Sequence, residues 1–198
     1  MMNRPKSVQI YTESNPNPQA LKFVLNYIIV PEGVTLDFPD AETAQDSPLA
    51  AMFFEQFPYI QRVFMMNNFL TITKNESVEW AEVAIVLKEA LKKYVESEQP
   101  IFSARLLHDY EQEFQAAQHE DSEVVKKIKG VLDEYIRPAV ETDGGAISFH
   151  SFEEGTVKVL LQGACSGCPS STITLKAGIE TLLKRMVPEV TTVVAEGV

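Results

Sequence analysis

Cysteine is nearly absent: the 198 residues hold two, Cys165 and Cys168. No framework of crosslinks can hold such a chain, and a bridge between these two would close too short a loop to remove much entropy from the unfolded state. A reducing compartment fits this usage. Basic residues are outnumbered, 17 Lys and Arg against 28 Asp and Glu, for a formal net charge of -11. Nucleic-acid binding relies on clustered cations that displace counterions from phosphate, so DNA and RNA are excluded as partners. Long apolar runs are missing too. Tyr27 to Val30, the most apolar early stretch, is bounded by Asn26 and Pro31, far short of the roughly 20 residues a membrane span requires. Met1 to Lys6 have no apolar core, and neither a signal peptide nor an Arg-rich transit segment is legible there. The expectation is a chain that stays where it is made, in a bacterial cytoplasm, although a trimmed organellar chain would read the same way.

What is present is a globular composition, 45% hydrophobic and 23% charged, with enough length for one large or two small cores. Val8 and Ile10, then Leu21, Phe23 and Leu25, alternate with polar residues around Asn15-Pro16-Asn17-Pro18 and read as two strands joined by a turn. A third strand is read through Thr35, Leu36 and Phe38. Ser47-Pro48 supplies an N-cap and a first-turn proline for a helix that ends at Pro58. Val63, Phe64, Met65 and Phe69, Leu70, Ile72 straddle Asn67-Asn68, which tolerate the positive φ of a hairpin turn. From Ser77 to Glu96, Trp80, Val83, Ala84, Leu87, Leu91 and Val95 recur at helical spacing, with Trp80 read as core.

Residues 98–121 read as an acidic linker with a weak apolar stripe of Phe102, Leu106, Leu107, Tyr110 and Phe114. Beyond it, Ser122 can cap a helix carrying Val124, Val125, Ile128, Val131, Leu132, Tyr135 and Ile136, which reaches Pro138 to Val140. Asp143-Gly144-Gly145 forces a turn. Two alternating strands surround Glu153-Glu154-Gly155, a helix carries Ile173, Leu175, Ile179, Leu182, Leu183 and Met186 as far as Pro188, and a last strand runs through Val190, Val193 and Val194. The fold class is therefore α+β: two small domains, residues 1–97 and 122–198, each a mostly antiparallel sheet with two helices.

Cys165 and Cys168 fall on a Gly-rich turn between a strand and a helix, Gly163-Ala164-Cys165-Ser166-Gly167-Cys168-Pro169. Glycines let backbone and ligand approach closely, and the orphan N–H groups and positive dipole of a helix start favour thiolate at Cys168. Inert buried cysteines are one reading, a thioredoxin-like dithiol oxidoreductase is the alternative, and a metal or iron–sulfur ligand pair is the reading preferred. The dithiol pair ordinarily follows a parallel strand of a βαβ unit, whereas an antiparallel pair is read here. Structural zinc and common iron–sulfur clusters need four ligands. His108, His119 and His150 are scattered without ligand spacing, so a second copy of the motif is the natural source of the missing thiolates, in a symmetric homodimer. Such a shared, exposed site holds its cluster weakly and can pass it on by thiolate exchange without a catalytic acid or base, so no enzyme is expected.

The stretch from Val124 to Val194 resembles the NifU-like C-terminal domain. The residues that carry it are Ile136-Arg137-Pro138, Asp143-Gly144-Gly145, Leu161-Gln162-Gly163-Ala164-Cys165-Ser166-Gly167-Cys168-Pro169-Ser170-Ser171, Thr174-Leu175-Lys176 and Pro188-Glu189-Val190. Val8 to Val95 is similar to the N-terminal domain of Nfu proteins through Asn15-Pro16-Asn17-Pro18, Leu21-Lys22-Phe23, Asp37-Phe38-Pro39, Ser47-Pro48-Leu49 and Phe69 to Lys74. The resemblance implies a late-acting iron–sulfur carrier. Such a carrier binds a 4Fe-4S cluster across a dimer through Cys165 and Cys168, receives it from upstream assembly scaffolds and delivers it to client apoproteins. It also implies that the N-terminal domain helps recognise those partners. A 2Fe-2S cluster would use the same four thiolates. Asp143 reads as a turn carboxylate rather than a group that tunes the cluster.

Overall fold

The protein is described by a computed structural model over residues 7–106, 108–109, 121–166 and 169–197. Strands β1 (Ile10–Ser14), β2 (Ala20–Leu25), β3 (Thr35–Phe38), β4 (Ile60–Met66) and β5 (Phe69–Lys74) form an antiparallel sheet in the order β1-β2-β5-β4-β3. The turn into β2 is built by asparagine side chains: Asn15 Oδ1 accepts the Asn17 N–H and Asn17 Oδ1 accepts the Gln19 N–H. Asn67 sits at φ 47° in the β4–β5 hairpin, as its short polar side chain allows.

Helix α1 (Pro48–Gln56) begins on the Ser47 Oγ, which accepts the Ala50 N–H, with Pro48 in the first turn. Helix α2 (Trp80–Glu96) starts three residues later than Ser77, and Glu79, its N-cap, makes no side-chain capping bond. Both helices pack on one face of the sheet, where Phe23, Leu25, Val63, Met65, Leu70 and Ile72 meet Phe53, Leu87 and Leu91. Side chains of this size contribute about 1.5–3 kcal/mol each on full burial. Trp80 borders this core and donates its indole N–H to Pro18 O. Past α2 the chain turns back: Tyr94 Oη donates to Pro100 O, Ser47 Oγ donates to Ile101 O, and Ile101 is buried in the same core. Of the linker stripe, Phe102 and Leu106 pack there as well, while Leu107, Tyr110 and Phe114 lie outside the described residues.

Helix α3 (Glu123–Val131) is capped by Ser122 Oγ, which accepts the Val125 N–H. It runs through a π-helical turn, Leu132–Ile136, into α4 (Arg137–Thr142). Pro138 supplies the cause: its ring cannot follow an ideal turn, because it has no N–H and collides with the carbonyl four residues back. Arg137 N–H therefore reaches five residues back, to Leu132 O. Strands β6 (Gly145–Glu153), β7 (Thr156–Gly163) and β8 (Thr192–Gly197), with α5 (Pro169–Met186) between the last two, complete the domain. β6 pairs antiparallel with β7, and β8 pairs parallel with β7, so the second sheet is mixed. Ile128, Leu132 and Val140 pack with Val157, Val159, Leu161, Ile179 and Leu183 beneath it.

The first sheet is covered on both faces. β4 reads Val63-Phe64-Met65-Met66 without a polar break, and Val63 and Met65 point into the first core while Phe64 and Met66 join a separate cluster with Val24, Phe69 and Ala146 of the second domain. A continuous apolar run of this kind marks a strand buried on both sides.

Candidate functional site

The thiol-bearing loop leaves β7 at Gly163, whose φ is +63°. Here glycine is required twice over, by the left-handed backbone and by space: a Cβ would lie 2.8 Å from both Gly144 O and the Phe64 ring. Ala164 N–H then donates to Gly144 O and Ser166 N–H to Gly163 O, which folds the loop onto the Asp143-Gly144-Gly145 turn. Gly145 makes room for the thiol, since a Cβ there would stand 3.0 Å from Cys165 Sγ. Cys165 is 6% exposed and packs in the second core. Over Ala164, Cys165 and Ser166 the turn expected to be exposed is buried. Cys168 lies outside the described residues, as does His119. His108 and His150 are exposed and far from one another in sequence. Among the described residues no three His, Cys, Asp or Glu side chains gather as a ligand set.

The thiol is covered by its own domain's core, and the first domain closes on the backbone just before it. Asn17 Nδ2 donates to Ala164 O at 3.0 Å, and Gly163 N–H donates to Asp37 Oδ2 at 3.3 Å. Thr35 Oγ1 lies 3.1 Å from Gln162 Oε1. Lys22 Nζ donates to Glu141 O and Thr142 O, the last carbonyls of α4, the position where a cation meets both orphan acceptors and the negative end of the helix dipole. Its charge also pairs with Glu13 at 3.2 Å and stands 4.5 Å from the centre of the Phe69 ring. A polar cleft of about 260 Å³, lined by Asn17, Gln19, Arg62, Thr73 and Ser166 among others, opens beside the loop.

Asp37 is held between Arg62, at 2.6 Å, and the Gly163 N–H. Burial nonetheless pushes its carboxyl up to about 6, outweighing the pull of the guanidinium and the amide. Burial also raises Glu141, against the opposing charges of Arg137 and Lys22, and Asp143, against that of Lys22. Asp143 sits at the end of α4, its N–H on Ala139 O. In the sequence Asn17, Lys22 and Asp37 stand out only as parts of separate motifs; the fold brings them to one seam with Gly144 and Gly163. The available signal was the unbroken apolar run of β4, which calls for a cover on the second face.

The parallel β7–α5–β8 connection places the C-x-x-C loop in a β–α–β unit after all, so strand direction does not separate a ligand pair from a dithiol pair. The fold and loop define a class: a two-domain α+β protein whose C-terminal domain carries two cysteines in sequence between strand and helix, with the outer face of its N-terminal sheet packed on that domain. Residues 10–98 match the family described as scaffold protein Nfu/NifU N terminal, and residues 128–194 match the NifU-like domain. The chain belongs to the Nfu family, in which these two domains are joined. It is 40% identical over 189 residues to the NFU1 iron-sulfur cluster scaffold homolog, mitochondrial, of Drosophila persimilis, covering 95% of this chain and 65% of that protein. The relative so named in Drosophila erecta is 38% identical with the same coverage, and that of Drosophila grimshawi is 40% identical over 93% of this chain and 60% of its own. The chain thus spans 60 to 65% of the length of these relatives.

The expected bacterial cytoplasm is overturned by these relatives, which are named as mitochondrial and point to an organelle. That expectation rested on the opening residues, which are no guide to addressing in a chain shorter than its relatives. Thiol usage could not correct it, because any reducing compartment satisfies it. No helix among the described residues is long and apolar enough to cross a membrane.

Proposed function

We propose that this chain binds an iron–sulfur cluster as cargo and passes it on, with Cys165 and Cys168 as its half of a site shared between two copies. The observation that carries the reading is that the chain's two cysteines fall three positions apart in the sequence between the end of β7 and the start of α5, within the stretch that matches the NifU-like domain. Two thiolates per chain fall short of the four that a 4Fe-4S or 2Fe-2S cluster requires, and a twofold axis doubles them. We take the cargo to be 4Fe-4S, received from upstream assembly scaffolds and delivered to client apoproteins inside an organelle. The part up to residue 97 serves partner contact, residues 122–198 hold the cluster, and 98–121 join the two. Transfer needs only that an acceptor enclose the cluster better than a shared interface does, so no proton-transfer group is required of the donor.

Anaerobic reconstitution with iron and sulfide tests this. The expected product is a coloured dimer with one cluster per two chains by iron analysis and sizing, and Cys165→Ser or Cys168→Ser removes both colour and dimer. A colourless monomer that catalytically reduces a test disulfide would show the dithiol alternative instead.

A further inference from the structure

We infer that the outer face of the first sheet is a docking surface for the thiol loop of its own chain, and that a docked chain is closed to the second copy a bridged cluster requires. This rests on the half-site reading above. The surface is organised as a row: register pairs Glu13 with Lys22, Lys22 with Thr71, Thr71 with Phe64 and Phe64 with Asp37, straight across the sheet. From Lys22 onward every member of this row meets the second domain. Lys22 takes the carbonyls ending α4. A Cβ on Gly144 would stand 2.7 Å from Thr71 Oγ1, and one on Gly163 would stand 2.8 Å from the Phe64 ring. Asp37 takes the Gly163 N–H. The neighbouring row of Val24, Phe69 and Met66 packs on Ala146. Contact this close is possible only because both turns of the second domain carry glycine where they face the sheet.

The docked loop has its backbone committed. Gly163 N–H and Ala164 O are bonded to Asp37 and Asn17, and Ala164, Cys165 and Ser166 are 3%, 6% and 8% exposed. A cluster on a twofold axis needs the thiols of both copies to meet at a common surface, which a loop roofed by its own first domain cannot offer. Docking and loading therefore exclude one another. In the apo chain the backbone that leads into the thiols is taken up, and the incoming copy or upstream donor competes with the chain's own sheet. Once loaded, the chain presents a bare face of Val24, Phe64, Met66 and Phe69 flanked by Lys22, so partner contact through that face becomes available when cargo is aboard.

The test uses the full chain. Asn17→Asp keeps an oxygen for the Gln19 N–H but turns the donor toward Ala164 O into an acceptor, and Lys22→Met keeps the stem while removing the ammonium. In a Cys168→Ser background, Cys165 of the N17D/K22M chain is expected to react with a water-soluble aromatic disulfide at least about tenfold faster than with the native seam, from the loss of the three hydrogen bonds that Asn17 and Lys22 give to Ala164, Glu141 and Thr142. Circular dichroism establishes that both chains are folded. In the unmodified protein, hydrogen exchange at the Gly163 amide is expected to be slow without cluster and fast after loading. With both cysteines present, N17D/K22M is expected to load cluster faster than the native chain, to the same final stoichiometry. Equal labelling rates in two folded proteins, or a Gly163 amide unprotected in the apo chain, overturns the docking surface. Cluster uptake by neither chain sinks the half-site reading and the competition with it, while the labelling difference still reports docking, so the two failures are told apart.

Discussion

Replacing Gly163 by alanine attacks the seam and the loop together, and its cost can be worked from the structure. At φ +63° an L side chain crowds the backbone by about 1–2 kcal/mol. The added Cβ would also stand 2.8 Å from Gly144 O and from the fully buried Phe64 ring, and overpacking of such a site costs about 1–3 kcal/mol. The total is roughly 2–5 kcal/mol, set against a control at Gly130, an exposed position of α3 where an added methyl would meet nothing within 4 Å and alanine stabilises by about 0.5–1 kcal/mol. The two parts separate in a double-mutant cycle. With Phe64→Ala also present, the ring contact vanishes while the backbone strain and the contact with Gly144 O stay, so about 1 kcal/mol or more of coupling is expected. Urea unfolding followed by far-ultraviolet dichroism reads the whole chain, and fluorescence of the single Trp80, which borders the first core, reads the first domain alone. A Gly163→Ala chain as stable as the native one, or additive behaviour with Phe64→Ala, would refute the claim that this glycine exists to admit the first sheet.

Asp37 makes stability fall with rising pH. Its folded value of about 6 lies above the ordinary 3.8, so the folded state binds the extra proton in that window. The stabilisation is complete below the unfolded value and is lost as pH rises through the folded one, about 3 kcal/mol at most. Asp37→Asn is expected to flatten that slope in denaturation curves between those two values, and an unchanged slope would show the carboxyl to be solvated. Ser47→Ala removes both the cap of α1 and the bond to Ile101 O. The Ala50 N–H loses its partner in a buried site and Ile101 O keeps only the Leu49 N–H at 3.5 Å, a cost of about 1–2 kcal/mol, read as an earlier midpoint in Trp80 fluorescence.

Local chemistry made most elements legible. Ser47-Pro48 starts α1 because an N-cap oxygen and a proline satisfy the first turn whatever lies around them. Asn67 turns a hairpin because its own backbone tolerates positive φ, and the alternation of Leu21, Phe23 and Leu25 assigns faces to β2. Two cysteines between a strand and a helix identified the loop for the same reason: the ligand chemistry is carried by residue type and spacing. The start of α2 was less legible: Ser77 reads as the start, whereas the helix begins at Trp80 behind Glu79, which makes no side-chain capping bond.

Residue order alone thus accounts for the strands, helices and turns, the two domains and the paired thiols, each of which depends on residues within a few positions of one another. It took the assembled fold to establish that β8 joins β7 in parallel, that the outer face of the first sheet is roofed, and that the first domain bonds the backbone just before Cys165. Periodicity says that a face is apolar but not what covers it, and the bonds from Asn17 to Ala164 and from Asp37 to Gly163 span more than a hundred residues. Such contacts form only once both domains exist as surfaces.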